Sequence, residues 1–183
     1  MATLSLGDHA PAFDLPGIDG RNHTLDDYRE QPVAVVFSCC HCPYVLAWED
    51  RLNEIAGDYA GRAGLVAINS NAGYLGDSWE DMERRAEEKG FRFPFLYDET
   101  QEVARAYRAA CTPDFYVFDE GRRLAYRGQL DGSRPGNDVP VTGRDLRAAL
   151  DAVLAGQPVV EPQSPSLGCN IKWKPGGEPD YFG

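Results

Sequence analysis

Three of the five cysteines in this chain, Cys39, Cys40 and Cys42, fall within four positions. Their flanks restrict what can be built around them. Val33, Ala34, Val35, Val36 and Phe37 form an apolar, partly β-branched run of the kind that makes a buried strand. On the other side, Val45, Trp48, Leu52, Ile55, Ala56 and Tyr59 share one face at helical spacing. The cysteines therefore sit where a strand hands over to a helix, and Cys39 and Cys42 form a C-x-x-C pair.

A helix N-terminus carries unpaired N–H groups and a partial positive charge, which favour an anion. The thiolate, rather than the thiol, is the nucleophile of cysteine chemistry. This reading puts Cys39 at the start of the helix as the attacking sulfur, and Cys42 one turn in, within reach to close a disulfide and release a substrate. Pro43 is compatible with a first helical turn, where its missing N–H costs no bond. Two other roles compete. Buried cysteines often act only as small apolar side chains, but three at one strand-to-helix junction exceed what packing needs. Cys39, Cys40, His41 and Cys42 are also potential metal ligands, yet structural zinc sites usually draw on two separated ligand pairs and no second pair follows. No metal and no cofactor are expected.

The 183 residues suit a single domain, 1–183, with a substantial core. Eighteen basic residues against 29 acidic ones give a net charge of −11. That balance argues against nucleic acid or an anionic membrane as partner. No stretch approaches the length of a membrane-spanning helix. The opening MATLSLGDHAPAFDLPG has neither a basic n-region nor an apolar h-region. With an odd cysteine count and a C-x-x-C beside a βαβ pattern, the expectation is redox chemistry in a reducing compartment, the cytoplasm.

Taken in order, the chain opens with a turn-rich extension. Phe13 and Leu15 suggest a short edge strand, Asp19-Gly20 a hairpin turn, and Thr24 the cap of a turn over residues 25–28. After the central helix, residues 65–68 read as a second buried strand. The polar loop that follows, NSNAGY, lies at a strand C-terminus, where α/β proteins place binding groups. Ser78, with Asp81 three residues on, caps a helix that Gly90 ends. Thr100 or Asp98 caps a helix holding Val103, Ala104 and Tyr107. Residues 115–118 form a strand, and Glu120-Gly121 turns it into an antiparallel partner over RLAYRGQ. Thr142, with Asp145, caps a last helix whose stripe is Leu146, Ala149, Leu150, Val153 and Leu154. Residues 156–183 form a tail in which Leu167, Ile171 and Trp173 alternate, a pattern expected to pack on the domain. Strands alternating with helices, closed by a hairpin, predict an α/β fold with a central mixed sheet and helices on both faces.

The C-x-x-C, followed about seventy residues later by Thr112-Pro113 just before a strand, resembles the thioredoxin superfamily. The opening LGDHAPAFDLPGIDG is similar to its redoxin branch, which includes the alkyl hydroperoxide reductase/thiol-specific antioxidant proteins. CHCPYVLAWEDRL, AYRAACTPDFYVFD, RGQLDGSRPGND and LGCNIKWKPG resemble a bacterial group of thiol-disulfide oxidoreductases or isomerases. The resemblance covers nearly the whole chain. It implies a thioredoxin-like fold, a cis bond before Pro113, and a loop facing the C-x-x-C where the Thr112 backbone pairs with an extended substrate. Two departures stand out. Thioredoxins carry a buried acid on the strand before the motif, and VAVVF has none, leaving His41 or water to move the proton of Cys42. Peroxiredoxins use P-x-x-x-T-x-x-C. Counting back from Cys39 finds Pro32 but Val36 in place of the hydroxyl residue.

The function expected is thiol-disulfide exchange, with Cys39 attacking and Cys42 resolving the mixed disulfide. Cys40 and His41, between the pair, set the redox poise. Partners are protein or small-molecule disulfides and thiols, together with an electron donor. The alternatives are a thiol peroxidase of the redoxin branch and a copper or zinc carrier using Cys39, Cys42 and a neighbouring ligand. Cys111 and Cys169 are candidate auxiliary thiols, able in principle to take a disulfide on from Cys39–Cys42.

Overall fold

A computed structural model describes residues 4–182. β1 (Asp14–Pro16) and β2 (Asn22–Thr24) form an antiparallel hairpin separate from the main sheet, so the short strand near Phe13 pairs with its own hairpin partner and not with the central sheet. Leu25–Tyr28 follow as a 3-10 turn, with the Asp27 carboxylate accepting the Thr24 N–H at 2.9 Å. Then come β3 (Val33–Ser38), α1 (Pro43–Asp58), β4 (Gly64–Asn69), α2 (Trp79–Lys89), β5 (Phe95–Tyr97) and α3 (Glu102–Tyr107). β6 (Cys111–Thr112), β7 (Asp114–Phe118), β8 (Leu124–Gly128), α4 (Arg144–Leu154) and β9 (Cys169–Asn170) complete the order.

The central sheet has the order β5-β4-β3-β7-β8. β3 runs parallel to β4 and antiparallel to β7, so the sheet is mixed. Every residue of β3 and β7 is buried. That explains their unbroken apolar runs: both faces of these strands are covered. Ala34, Val36, Ala67, Phe115 and Val117 face one layer, filled by Trp48, Leu52 and Ile55 of α1, Met82 of α2 and Leu146 and Leu150 of α4. Val35, Phe37, Val66, Ile68 and Tyr116 face the other, filled by Ala104 and Tyr107 of α3, the N-terminal hairpin, Ile171 and Trp173. Among the described residues no helix is long and apolar enough to cross a membrane.

Helix caps follow local chemistry with two shifts. Ser78 accepts the Asp81 N–H and Asp81 returns the bond to the Ser78 N–H, and Gly90 closes α2 in the left-handed region. α3 begins one residue after Gln101, with the Asp98 carboxylate taking the Ala104 N–H at 3.0 Å and Thr100 the Glu102 N–H at 3.3 Å. α4 is capped by Gly143 rather than Thr142. The reason is Asp131, whose buried carboxylate takes the N–H groups of both Thr142 and Gly143. Asp145 bonds to Gln129 instead of closing a capping box.

Candidate active site

The parallel register of β3 and β4 sets Ser38 opposite Asn69. The loops leaving both strands therefore open at the same edge, where α/β sheets place ligands. One loop carries residues 39–42, the other residues 70–77.

α1 starts at Pro43, so Cys42 is its N-cap and Cys39 lies three residues before that cap, outside the helix. This corrects the expectation that Cys39 opens the helix with Cys42 a turn inside. The cause is Pro43 itself: a proline disfavours helical backbone at the preceding residue, and Cys42 is extended at φ −69 and ψ 127. The helix start still serves Cys39, because the Cys42 N–H points to the Cys39 Sγ at 3.4 Å. The Thr112 Oγ1 lies 3.4 Å from the same sulfur. The peptide bond before Pro113 is cis, and this loop brings Thr112 onto both cysteines. Its carbonyl accepts the Cys42 thiol at 3.2 Å.

Cys39 is 2 % exposed and Cys42 is fully buried. The two thiols act on each other's protonation, so they titrate as a pair. The Cys39 thiol holds Cys42 below the ordinary thiol range, helped by Cys169 and the Val45 amide in the first turn of α1. In return Cys42, together with burial and the Asp77 charge, pushes Cys39 up. The pair thus loses its first proton easily and its second with great difficulty.

Sequence reasoning missed Asp77. It is fully buried, and its carboxylate takes the Cys40 N–H at 2.6 Å, the Asn69 amide at 3.3 Å and the Asn71 amide at 3.4 Å. It also forms a very close contact with the His41 Nδ1. The other face of His41 packs on Tyr74, with ring centroids 4.7 Å apart. β3 has no acid, but the neighbouring loop carries a buried one, whose bonds run to Cys40 and His41. The available signal was the polar loop at the end of β4, which runs to Asp77 just before the Ser78 cap. Burial and the Asp77 charge push the Cys40 thiol up.

Cys39, His41 and Asp77 each offer a ligand atom within 4.8 Å of the others. Among the described residues this group could hold a metal ion, and it shares Cys39 with the set expected from the sequence. Sulfur, imidazole and carboxylate donors are all compatible with zinc.

The tail reaches the same place. β9 pairs antiparallel with β6, setting Thr112 opposite Cys169 and Cys111 opposite Asn170. The edge that the resemblance reserves for a substrate is occupied by the chain's own C-terminal segment. The Cys169 Sγ lies 2.8 Å from that of Cys42. Burial and this contact push the Cys169 thiol up to about 11. Cys111 faces elsewhere: its thiol points to the Pro113 carbonyl at 3.8 Å, and burial pushes it up to about 12. All five cysteines are free.

The AhpC/TSA family profile matches residues 6–127. An uncharacterized conserved protein from Geobacillus kaustophilus, known from its crystal structure, is 52% identical, with a TM-score of 0.91 and 94% of each chain covered. The thiol-disulfide oxidoreductase ResA of Geobacillus thermodenitrificans is 27% identical over 122 residues, 66% of this chain and 67% of that protein. A Mycobacterium tuberculosis protein named "Putative peroxiredoxin MT2597" is 35% identical over 107 residues, 58% of this chain and 65% of that protein. With its five-stranded mixed sheet and a C-x-x-C pair at the strand-to-helix junction, the chain has a thioredoxin-like fold and belongs to the AhpC/TSA family.

Proposed function

We propose that this protein is a thiol-disulfide oxidoreductase in which Cys39 attacks and Cys42 resolves. The observation that carries the reading is the set of donors on Cys39, the Cys42 N–H and the Thr112 hydroxyl, beside a second sulfur that titrates with it. Transfer of the Cys39 proton to Cys42 leaves a Cys39 thiolate held by both donors. This thiolate attacks a substrate disulfide, forms a mixed disulfide and expels one substrate thiolate. Cys42 then loses its proton and attacks the Cys39 sulfur. The Cys39–Cys42 bond forms and the second substrate thiolate leaves. A reducing partner returns the two electrons.

His41, with Asp77 behind it, places an imidazole beside the motif, and its charged form stabilises the Cys39 thiolate. Thr112 and Pro113 are the substrate-binding positions in this reading. Because β9 pairs with β6, a substrate segment pairs with the Thr112 backbone only once β9 moves aside. A reducing compartment, the cytoplasm, belongs to this reading on the odd cysteine count and the C-x-x-C pair.

The test is reduction of insulin disulfides with a dithiol donor by wild type and by Cys39→Ser. Loss of turnover is expected, and full activity in the variant would rule the mechanism out.

A peroxidase reading has one observation in its favour beyond the family match. Although Val36 is buried in the core and carries no hydroxyl, the Thr112 Oγ1 stands 3.4 Å from the Cys39 sulfur. Stopped-flow mixing with hydrogen peroxide separates the two. Oxidation no faster than that of free cysteine discards the peroxidase.

A further inference from the structure

Three sulfurs, not two, are gathered at the start of α1. Cys42 stands between Cys39, whose Sγ accepts the Cys42 N–H at 3.4 Å, and Cys169, whose Sγ is 2.8 Å away. That separation puts the two sulfurs in direct contact, within hydrogen-bonding reach of one another.

The tail is fixed on both sides of Cys169. Upstream, the Ser166 hydroxyl accepts the Phe115 N–H at 3.4 Å and donates to the Gly128 carbonyl. Next to it, Gly168 lies so close to Thr112 that a Cβ would overlap the Thr112 carbonyl. Downstream, the Ile171 N–H donates to the Ala110 carbonyl at 3.1 Å, and the Lys172 N–H to the Asn71 side chain at 2.9 Å. Ile171 is buried against the sheet. The register that results, Cys169 opposite Thr112, is that of an extended segment added to the edge of the cis-proline loop, the position a bound substrate would take. Cys169 is also the most accessible of the three sulfurs, since its residue is half-buried while Cys39 and Cys42 are buried.

We propose that Cys169 is a third exchange thiol, an intramolecular substrate that takes the disulfide from Cys39–Cys42 through Cys42. The Cys169 thiolate attacks the Cys42 sulfur of the Cys39–Cys42 bond. A Cys42–Cys169 bond forms, the Cys39–Cys42 bond breaks, and Cys39 leaves as a thiolate. One disulfide is consumed and one is made, so no outside oxidant enters. The proton lost by Cys169 goes to solvent. The leaving thiolate is received by the Cys42 N–H and the Thr112 hydroxyl. The oxidising equivalent moves from two buried sulfurs to a half-buried one, where the thiol of a reducing partner can attack, and Cys39 is free again. This step rests on the thiol-disulfide reading above.

The test uses the whole chain. Wild type and Cys39→Ser are oxidised with one equivalent of diamide, alkylated, digested without reductant and mapped by mass spectrometry. In wild type, both the Cys39–Cys42 and Cys42–Cys169 links are expected, with Cys39 alkylated in the molecules that carry the second. In Cys39→Ser, a gain of the Cys42–Cys169 link to near completion is expected. Wild type that carries Cys39–Cys42 alone, with Cys39 never alkylated and insulin still reduced, overturns the relay and leaves the exchange mechanism intact. That arm needs no variant to fold. A Cys42–Cys169 link seen in Cys39→Ser but not in wild type also overturns the relay. Absence of both links, with no insulin reduction, overturns the relay and the thiol-disulfide reading together.

Discussion

Gly168 lies against Thr112 with no room for a Cβ: a methyl there would overlap the Thr112 carbonyl oxygen and carbon, both backbone atoms. Gly168→Ala should therefore lift β9 from β6. A loss of roughly 1–3 kcal/mol is expected, as for other overpacked positions. Cys169 alkylation should accelerate at the same time. Urea unfolding and timed alkylation check both; unchanged values would mean that this close approach does not hold the tail.

The joint titration of Cys39 and Cys42 has a direct optical consequence. Cys42 is held below the ordinary thiol range by the Cys39 thiol before any other group, so the pair gives up its first proton early. The sign follows: the charged form is present above the lowered value and is lost as the pH falls through it. The ultraviolet thiolate band should appear below the ordinary thiol range and vanish in Cys42→Ser. Cys111, pushed up by burial, contributes nothing to that band, so Cys111→Ser should leave it unchanged. A band that appears only above pH 8, the free-thiol range of about 8.5, would contradict the joint titration.

His41→Ala leaves the Asp77 carboxylate buried without its imidazole partner. The Asp77 charge, which already disfavours a Cys39 thiolate, is then left uncovered. The reduced state is destabilised, and the pair becomes more reducing. For each tenfold change in the exchange equilibrium, the reduction potential should fall by about 30 mV. Equilibration against glutathione measures it, and an unchanged or higher potential would remove His41 from the poise of the pair.

In the second turn of α1, Trp48 Nε1 donates to the Ser133 hydroxyl at 2.9 Å, and Ser133 is in turn bonded to Asp131. Burial acts to raise the Asp131 carboxyl, but the Ser133 hydroxyl and the N–H groups of Ser133, Thr142 and Gly143 outweigh it and hold it below the usual carboxylate range. A depressed carboxyl contributes stability that is present above its unfolded pKa of about 3.9 and is lost as the pH falls below it. Asp131→Asn should cost about 1–3 kcal/mol at neutral pH and flatten the acid limb of the stability curve. Thermal melts across that range read both effects.

Much of this architecture follows from local signals, because local forces set it. The apolar run in β3, the stripe of α1, the Ser78–Asp81 box and Gly90 each act within a few residues, so periodicity and capping chemistry reveal them. The C-x-x-C is equally local. The start of α1 is less legible, because the helical spacing from Val45 onward does not register that Pro43 keeps Cys42 extended. Asp77 was missed for a different reason. An aspartate in a Gly- and Asn-rich loop resembles any turn residue, and only the pairing of β3 with β4 carries it beneath His41. The proximity of Cys169 to Cys42 is more remote still: 127 positions separate them, and nothing in the alternation of Leu167, Ile171 and Trp173 specifies which strand the tail joins.

β6 is a two-residue strand with an edge that β9 alone covers. An open edge of N–H and C=O groups is a template for pairing with another chain. Here that edge would lie beside a reactive thiol, so a neighbouring copy pairing there would also be positioned for intermolecular disulfide exchange. With the chain's own strand docked on that edge, a second copy would find no free N–H and C=O groups of β6 to pair with there, a consequence for colloidal stability that follows from the β6–β9 pairing alone.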